Sequence, residues 1–379
     1  MSDFESLFDW LGQQGCLDHV SENVVEPEEK PEQVLHIDFP KLESIMKKEG
    51  NYPFDLSPEV LEELEEKGDK PLSIPANFEV LAWYQPIHYF GHAWGIYIKE
   101  SAVIDLAARI YQPLFKHSAP SQMTYPMSAL TPSRAAAESI YAAIMILYLH
   151  EEYHHKVESF SVRNHIVTER CSYDAYKKNV YQPARGSTPT SCREEAMCHA
   201  YSRRKLRSKL SGKASPNTIH QAIRVVDEII AQAVGPYAGA DFLISDSDFE
   251  WTQSELQCQI QEGIPITVTD NLRWQHEEKL FSPLYRGKNL PCILVPITTP
   301  LMRVPGVLHF TATSRGVVKV IRKHGYQEEK GGKGSHTKYG KAGGPMIIIP
   351  KGKELSPGVL KSVAQSLGMP IQDLAKQAR

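Results

Sequence analysis

The chain has 379 residues, 41% of them hydrophobic and 23% charged, which suits a globular protein of two or three domains. Residues 1–5 are acidic and lack the basic start of a signal peptide, and the longest apolar stretch, 140–149, is about half of a membrane span. The cysteines form no C-x-x-C pair, which argues against a disulfide framework or a cysteine zinc knuckle. We expect a soluble cytoplasmic protein without a membrane partner.

The net charge of −3 conceals a gradient along the chain. Residues 1–75 carry −13 and form an acidic head, which is partly linker because Pro and Glu fill residues 20–35. Residues 76–282 form a mainly helical domain with a small sheet, and residues 283–302 form a Pro-rich connector. Residues 303–379 carry +10, which indicates contact with nucleic acid or an acidic protein surface, unless this is only a lysine-rich soluble domain.

The central domain begins with a predicted strand at 94–98 and a helix at 101–115. Thr131 suits the N-cap of a long helix that runs to at least Ser159. Its middle, 140–149, is apolar on nearly every face, so we expect it to be buried on all sides.

Two further helices are predicted at 192–210 and, capped by Ser215, at 216–234. Five prolines break residues 237–302 into short pieces, which we interpret as packing loops and connector. Together with the basic domain below, the pattern predicts an α+β protein.

The segment His150-Glu151-Glu152-Tyr153-His154 fits H-E-x-x-H at the polar end of the long helix. Residues four apart share a helix face, so His150 and His154 can bind one metal ion, for which Zn²⁺ is the favoured identity. Glu151 lies about 100° around the helix from His150, where a general base must stand. The alternatives are a surface helix rich in His and Glu, and a metal that only stabilises the fold.

A catalytic zinc needs a third protein ligand, and the predicted helix 192–210 offers Glu194-Glu195-Ala196-x-x-x-Ala200-Tyr201. Over the two helices the sequence resembles the gluzincin peptidases and the E-E-A-x-x-x-A helix of ImmA-type proteins. This resemblance implies a zincin-like domain, a protein or peptide substrate and Glu195 as the third ligand. Glu194 is the alternative ligand.

Two residues near this set have open roles. His199, one turn beyond Glu195, is a ligand, an orienting residue or a donor to the reacting oxygen, or else an ordinary half-buried histidine. Glu158, four residues after His154, either orients an imidazole or forms a surface ion pair.

Other features near the motif are weaker. His155 is predicted to face solvent. His88 and His92 are four apart, but the neighbouring Pro86 and Gly91 argue against a helix there. By analogy with zincin clefts, the strand at 94–98 is a candidate edge strand for an extended peptide substrate.

The basic domain predicts the order α-β-β-β-α. A helix at 314–324 precedes strands at 326–330, 335–339 and 346–350, and a last helix covers 359–367. A Gly-rich turn at 331–334 separates the first two strands.

This domain resembles the HicA family of toxins through Gly325-Tyr326, Lys333-Gly334-Ser335-His336, Ile349-Pro350 and the segment 354–362, which reads Glu-Leu-Ser-Pro-Gly-Val-Leu-Lys-Ser. The resemblance implies a double-stranded-RNA-binding-like fold, ribonuclease activity on mRNA, an antitoxin partner and His336 as the active histidine.

A histidine can move a proton from a ribose hydroxyl, and the nearby Lys333, Ser335, Lys338 and Lys341 are candidates for RNA contacts. A module that binds RNA without cutting it, or only docks a partner, is the alternative.

Two functions follow from these patterns. In the first, the protein is a zinc metallopeptidase whose basic module senses RNA or a partner, as a toxin–antitoxin or defence regulator. In the second, the HicA-like ribonuclease is the effector, and the H-E-x-x-H domain regulates it or merely binds metal.

Overall fold

The computed structural model describes residues 10, 11, 13, 35–47, 52–68, 81–90, 93–116, 130–186, 193–264, 281–295, 312–329, 336–341, 343–350, 354–355, 357–369, 374, 377 and 378. The chain divides into two compact units, and the second unit contains everything from Arg303 onward. Each unit is described by itself.

The first unit is mainly helical. Its helices are α1 (Phe39–Met46), α2 (Pro58–Gly68), α3 (Ile87–Phe90), α4 (Glu100–Lys116), α5 (Pro132–Thr168), α6 (Tyr173–Tyr176), α7 (Gln182–Gly186), α8 (Arg193–Leu210), α9 (Pro216–Gln232) and α10 (Asp246–Glu262). A π-helical turn, Lys177–Tyr181, joins α6 to α7.

A small sheet accompanies these helices. Its strands are β1 (Leu35–His36), β2 (Ala82–Gln85), β3 (Gly95–Lys99) and β4 (Cys292–Val295), in the spatial order β1-β4-β3-β2. β3 pairs parallel with β4 and antiparallel with β2.

Helix α5 is the centre of the first unit, as the apolar run predicted. The Thr131 side chain accepts a hydrogen bond from the backbone of Arg134, which confirms the predicted N-cap. The 37-residue helix packs against α4, α8 and α9, and its residues 135–155 are all buried. Because all faces of this stretch are covered, its side chains lie in the interior of the first unit.

The other predicted helices are also present with shifts of one or two residues at their ends. α4, α8 and α9 correspond to the predictions at 101–115, 192–210 and 216–234, and the Ser215 side chain caps α9 through the backbone of Thr218. The apolar periodicity and the capping residues were sufficient to predict these helices.

The prediction that the strand at 94–98 lies at an edge is wrong. β3 lies inside the sheet, because β4 pairs with the side that the prediction left open. The close approach requires Gly95, which has φ +141° and a position where a Cβ atom would come within 2.8 Å of the Pro291 oxygen. In the described part of the chain, the outer strands of this sheet are β2 and the two-residue β1.

Parts of the predicted head and connector belong to the sheet of the first unit. β1 comes from residues 1–75 and pairs antiparallel with β4, which comes from residues 283–302. Neither strand could be predicted from the composition of its segment, because each has four residues or fewer. The Pro/Glu-rich residues 20–34 lie outside the described residues.

The second unit confirms the predicted order of a helix, three strands and a helix. Its elements are β5 (Ala312–Thr313), α11 (Ser314–Lys323), β6 (Gln327–Glu328), β7 (His336–Gly340), β8 (Ile347–Pro350), β9 (Glu354–Leu355) and α12 (Pro357–Leu367). β6, β7 and β8 form an antiparallel sheet, and β5 pairs with β9. Its core joins one face of both helices to the buried face of the sheet.

No helix in the described part of the chain combines the length and the apolar character needed to cross a membrane. The apolar middle of α5 is covered by protein instead.

We expect Leu147→Ala to destabilise the first unit by about 2–5 kcal/mol, because it removes a fully buried side chain from the centre of α5. Urea unfolding of the full chain, followed by circular dichroism, measures the change. Val167→Ala on the same helix is the control, since Val167 is 77% exposed and its loss should cost less than about 0.5 kcal/mol. Equal effects of the two substitutions would contradict the assignment of this core.

Candidate functional site

Four buried side chains from two helices converge in the first unit. His150 and His154 come from α5, and Glu195 and Cys198 come from α8. One donor atom from each lies within 4.8 Å of the other three, so the group could hold a metal ion. The extensive packing of α5 on α8 brings the two pairs together.

Three of the separations between donor atoms suit a bound metal ion. Glu195 Oε2 lies 3.4 Å from His150 Nε2 and 3.6 Å from His154 Nε2, and Cys198 Sγ lies 3.4 Å from His154 Nε2. A tetrahedral zinc ion with its usual bond lengths separates neighbouring ligand atoms by about 3.3–3.6 Å. The donor set of imidazole, carboxylate and thiol also suits zinc.

Glu194 holds His154 in the orientation that a metal ligand needs. His154 Nδ1 donates to Glu194 Oε1 at 2.6 Å, which directs Nε2 towards Glu195 and Cys198. The same carboxylate accepts hydrogen bonds from Tyr176 and Lys177. Burial opposes ionisation, but the charge of Lys177 and the bond from His154 keep the pKa of Glu194 below its ordinary value. A carboxylate behind a ligating histidine is a common feature of metal sites.

The charges of the cluster favour a cation at its centre. Burial alone would lower the pKa of His154, but Cys198, Glu195 and Glu194 raise it well above its ordinary value. Burial would likewise raise the pKa of Glu195, but His154 and His150 bring it well below the ordinary value. A positive charge, as a proton or a metal ion, therefore stabilises this group.

The π-helical turn delivers two further contacts to α8. It begins at Lys177, whose ammonium group lies 2.9 Å from Glu194 Oε1, and ends at Tyr181, whose hydroxyl donates to Glu195 Oε1. π-turns are rare and concentrate at functional sites. The two ends of this turn thus contact the adjacent glutamates Glu194 and Glu195.

A cavity of about 170 Å³ lies beside the donors. Glu151 and His154 line it together with the β2 residues Trp83 and Tyr84, and with Pro86, Tyr89, Lys177, Tyr181 and Gln182. Glu151 is itself buried, with only 2% of its surface exposed. The residue after His150 thus reaches the cavity, whereas Glu152 turns away and accepts hydrogen bonds from Tyr148 and Tyr201.

His199 is buried against the donors but is not one of the four. Its ring packs edge-on against that of His150, with the centroids 4.6 Å apart, and also contacts Tyr237. Burial and the charge of His150 hold the pKa of His199 well below its ordinary value, so its imidazole is neutral at pH 7.

Glu158 and His155 differ from the sequence predictions. Glu158 is not a surface residue: it is fully buried and binds His88, so it orients an imidazole, but not one of the metal-facing pair. The prediction that His155 faces solvent is wrong, because β2 covers this side of α5 and Tyr84 binds His155 Nδ1. His88 lies on the four-residue helix α3 despite Pro86, and His92 lies outside the described residues.

Cys198 was not predicted from the sequence as a possible metal ligand. Its spacing of three from Glu195 places both residues on one helix face, a signal equal to that used for His199. Only the packing of α8 on α5 shows that this thiol approaches His154.

In the second unit, β7 carries two of the residues predicted to act on RNA, His336 and Lys338. His336 begins the strand, and Lys338 is exposed opposite the exposed Ile348 of β8. Tyr339 and Ile347 lie on the buried face. Lys341 is exposed just after the strand, and Lys333 and Ser335 lie outside the described residues.

We expect the purified chain to contain one zinc ion, and Glu195→Gln to lose most of it because a carboxylate donor is removed. Glu194→Gln should weaken binding about 10–100-fold, since His154 loses its orienting partner. Glu152→Gln is the matched control, a buried glutamate of the same motif that binds two tyrosines. Elemental analysis and competition with a chelator measure both effects. Zinc-free protein, or equal affinity in the Glu195 variant, would contradict the site.

Comparison with known proteins assigns the second unit. Residues 314–369 match the family model described as the HicA toxin of bacterial toxin–antitoxin systems. No curated protein and no solved structure matches the chain. The chain therefore contains a HicA toxin domain at its C-terminal end, as the sequence resemblance indicated, and joins it to a helical unit with a possible metal site.

Proposed function

We propose that the protein combines a zinc-dependent peptidase domain with a HicA-type domain that cleaves RNA. The observation that supports the first part is the approach of His150, His154 and Glu195 to one point beside a cavity that Glu151 lines. A zinc-like donor set, a neighbouring carboxylate and space for a substrate are the three parts that metal-assisted hydrolysis needs.

Zinc in such a site supplies Lewis-acid polarisation of the substrate carbonyl and an acidified water. Side chains of the protein would carry out the proton transfer and hold the metal ligands in position. Glu151, at the cavity wall, would accept a proton from the attacking water and pass it to the leaving amine. Glu194 would keep His154 in position, and Tyr181 would keep Glu195 in position.

The outer strand β2 supports a peptide as the substrate. Trp83 and Tyr84 of this strand line the cavity beside Glu151. An extended peptide that pairs with β2 would pass in front of the donors, as in peptide binding by strand addition. β2 therefore replaces β3 as the substrate strand in this proposal.

Cys198 supports the second candidate, in which the metal is structural or regulatory. Zinc sites with four protein ligands are closed and structural, whereas catalytic sites keep one position open. The Cys198 thiol lies 3.4 Å from His154 Nε2, close enough to be a fourth ligand. In that arrangement the HicA-type domain is the effector, and the helical unit controls it.

The RNA-directed part rests on the family match and on the position of His336. We propose that His336 is the general base that takes a proton from a ribose hydroxyl, and that Lys338 and Lys341 contact phosphates. Lys333 and Ser335, which lie outside the described residues, remain candidates for RNA contacts from the sequence alone. The HicA family also implies an antitoxin partner for this domain.

We expect Glu151→Gln to lower peptide cleavage by about 10²–10⁴-fold while one zinc ion stays bound, because the substitution removes the base but no donor. Internally quenched fluorescent peptides and elemental analysis measure the two properties. Glu152→Gln, the adjacent buried glutamate, is the control and should keep the activity.

Cys198→Ser separates the two candidate functions. If zinc-loaded wild type cleaves no peptide and Cys198→Ser does not gain activity, the peptidase proposal fails. Activity that appears only in Cys198→Ser would show that the thiol closes the site.

We expect His336→Ala to lower RNA cleavage by the full chain about 10²–10⁴-fold and to relieve growth inhibition on expression in bacteria. RNA binding, measured by filter binding at fixed salt, should remain. The control is His324→Ala, a partly buried histidine at the end of α11 in the same unit. Undiminished cleavage in the His336 variant would contradict the assigned role.

A further inference from the structure

A second cluster of reactive side chains lies in the first unit, separate from the four metal-facing donors. It consists of Cys171, His88 and Glu158, and we call it the thiol cluster. Glu158 is fully buried on α5, and its Oε1 lies 2.5 Å from His88 Nδ1 and 3.0 Å from the His88 backbone nitrogen. The carboxylate thus binds both the ring and the main chain of His88.

The other oxygen of this carboxylate is also fixed. Glu158 Oε2 accepts a hydrogen bond from the Tyr84 hydroxyl, which in turn contacts His155 Nδ1 at 2.8 Å. The backbone nitrogen of Tyr285 donates to His155 Nε2 at 3.2 Å. Because Glu158 is held from both sides, the His88 ring has one orientation.

Cys171 completes the cluster from the surface. It lies just beyond the end of α5, is exposed, and its thiol is hydrogen-bonded to the His88 side chain. Glu158 binds His88 Nδ1, and the thiol contacts the same side chain. The order is therefore thiol, imidazole and carboxylate, the arrangement in which a base activates a nucleophile and a third group orients the base.

His88 and Cys171 favour each other's charged forms. Burial alone would lower the pKa of His88, but the hydrogen bonds with Cys171 and Glu158 and their charges raise it to about 9. Because the charge of Cys171 is one of these causes, the imidazolium of His88 and the thiolate of Cys171 stabilise each other. A thiol next to a protonated histidine ionises more readily and is more reactive than a free cysteine.

We propose that Cys171 is an oxidant-reactive thiolate that reduces hydroperoxides, with His88 as its acid and Glu158 as the positioning residue. The thiolate sulfur attacks one peroxide oxygen, a sulfur–oxygen bond forms, and the oxygen–oxygen bond breaks. The leaving oxygen takes the proton from His88 and departs as water or alcohol. Cysteine sulfur is oxidised by two electrons to sulfenic acid, and the peroxide is reduced by two.

A small oxidant fits this cluster better than a bulky acyl substrate. The cavity in this part of the unit is lined by Tyr84 and Tyr89, and Cys171 is not among its lining residues. Among the described cysteines, Cys171 is exposed and Cys198, Cys258 and Cys292 are buried. Solvent therefore reaches this thiol directly. The reaction does not depend on the proposed peptidase or ribonuclease.

The test is the pH dependence of alkylation in the full chain. Iodoacetamide labelling of Cys171, quantified by peptide mass spectrometry, should be slowed less than about threefold between pH 9 and pH 6. An ordinary thiol would be slowed more than about 100-fold over this range. His88→Gln and Glu158→Gln should both restore the steep fall, whereas the surface substitution His220→Gln should not.

The oxidation is tested on the same proteins. One equivalent of hydrogen peroxide followed by dimedone should label Cys171 in wild type, and His88→Gln should lower the labelling rate at pH 6 at least about tenfold. Thermal unfolding checks that each variant is folded, and Tyr84→Phe offers a milder perturbation of Glu158 with a smaller effect in the same direction.

Two results would overturn the proposal. One is a wild-type pH profile as steep as that of an ordinary thiol. The other is turnover of a p-nitrophenyl ester that Cys171→Ser abolishes, without sulfenic acid on peroxide treatment, which would assign the cluster to acyl transfer instead.

Discussion

The burial of ionisable side chains along α5 is the constraint on which the first unit depends. Within nine consecutive residues the helix buries His150, Glu151, Glu152, His154, His155 and Glu158. An isolated charge in such surroundings costs several kcal/mol, so each group requires a partner from another element. The elements around α5 are arranged to provide these partners.

Each element packed against α5 binds some of these buried side chains. α8 supplies Glu194 and Glu195 to the metal-facing histidines and Tyr201 to Glu152. The π-helical turn adds Lys177 and Tyr181, which fix the two glutamates of α8. On the other side, α3 and β2 supply His88 and Tyr84 to Glu158. One helix therefore carries both the candidate metal centre and the carboxylate of the thiol cluster.

The two units are stabilised by different kinds of interaction. The second unit is small and has a conventional apolar core between two helices and a three-stranded sheet, and Lys338 and Ile348 on the other face of this sheet are exposed. The first unit combines an apolar core with a dense polar network. Such networks make a fold specific when they are fully satisfied, and they are also where catalytic and metal-binding groups are found.

The sequence by itself determined the local features. Apolar periodicity and the caps at Thr131 and Ser215 located the main helices, and the H-E-x-x-H spacing brought His150 and His154 to one face. The HicA resemblance located the domain that the family model matches at 314–369. These features depend on residues close in sequence, where helix geometry alone relates the side chains.

Only the tertiary structure decided which distant groups meet. β4 joined the sheet from a segment that composition identified as a connector, and so β3 became an inner strand. His155 and Glu158 were buried by β2 and α3, although their own helix positions gave no sign of it. Cys198 reached His154, and Cys171 reached His88, across 44 and 83 residues of chain respectively. Long-range packing sets such contacts, and no local spacing encodes them.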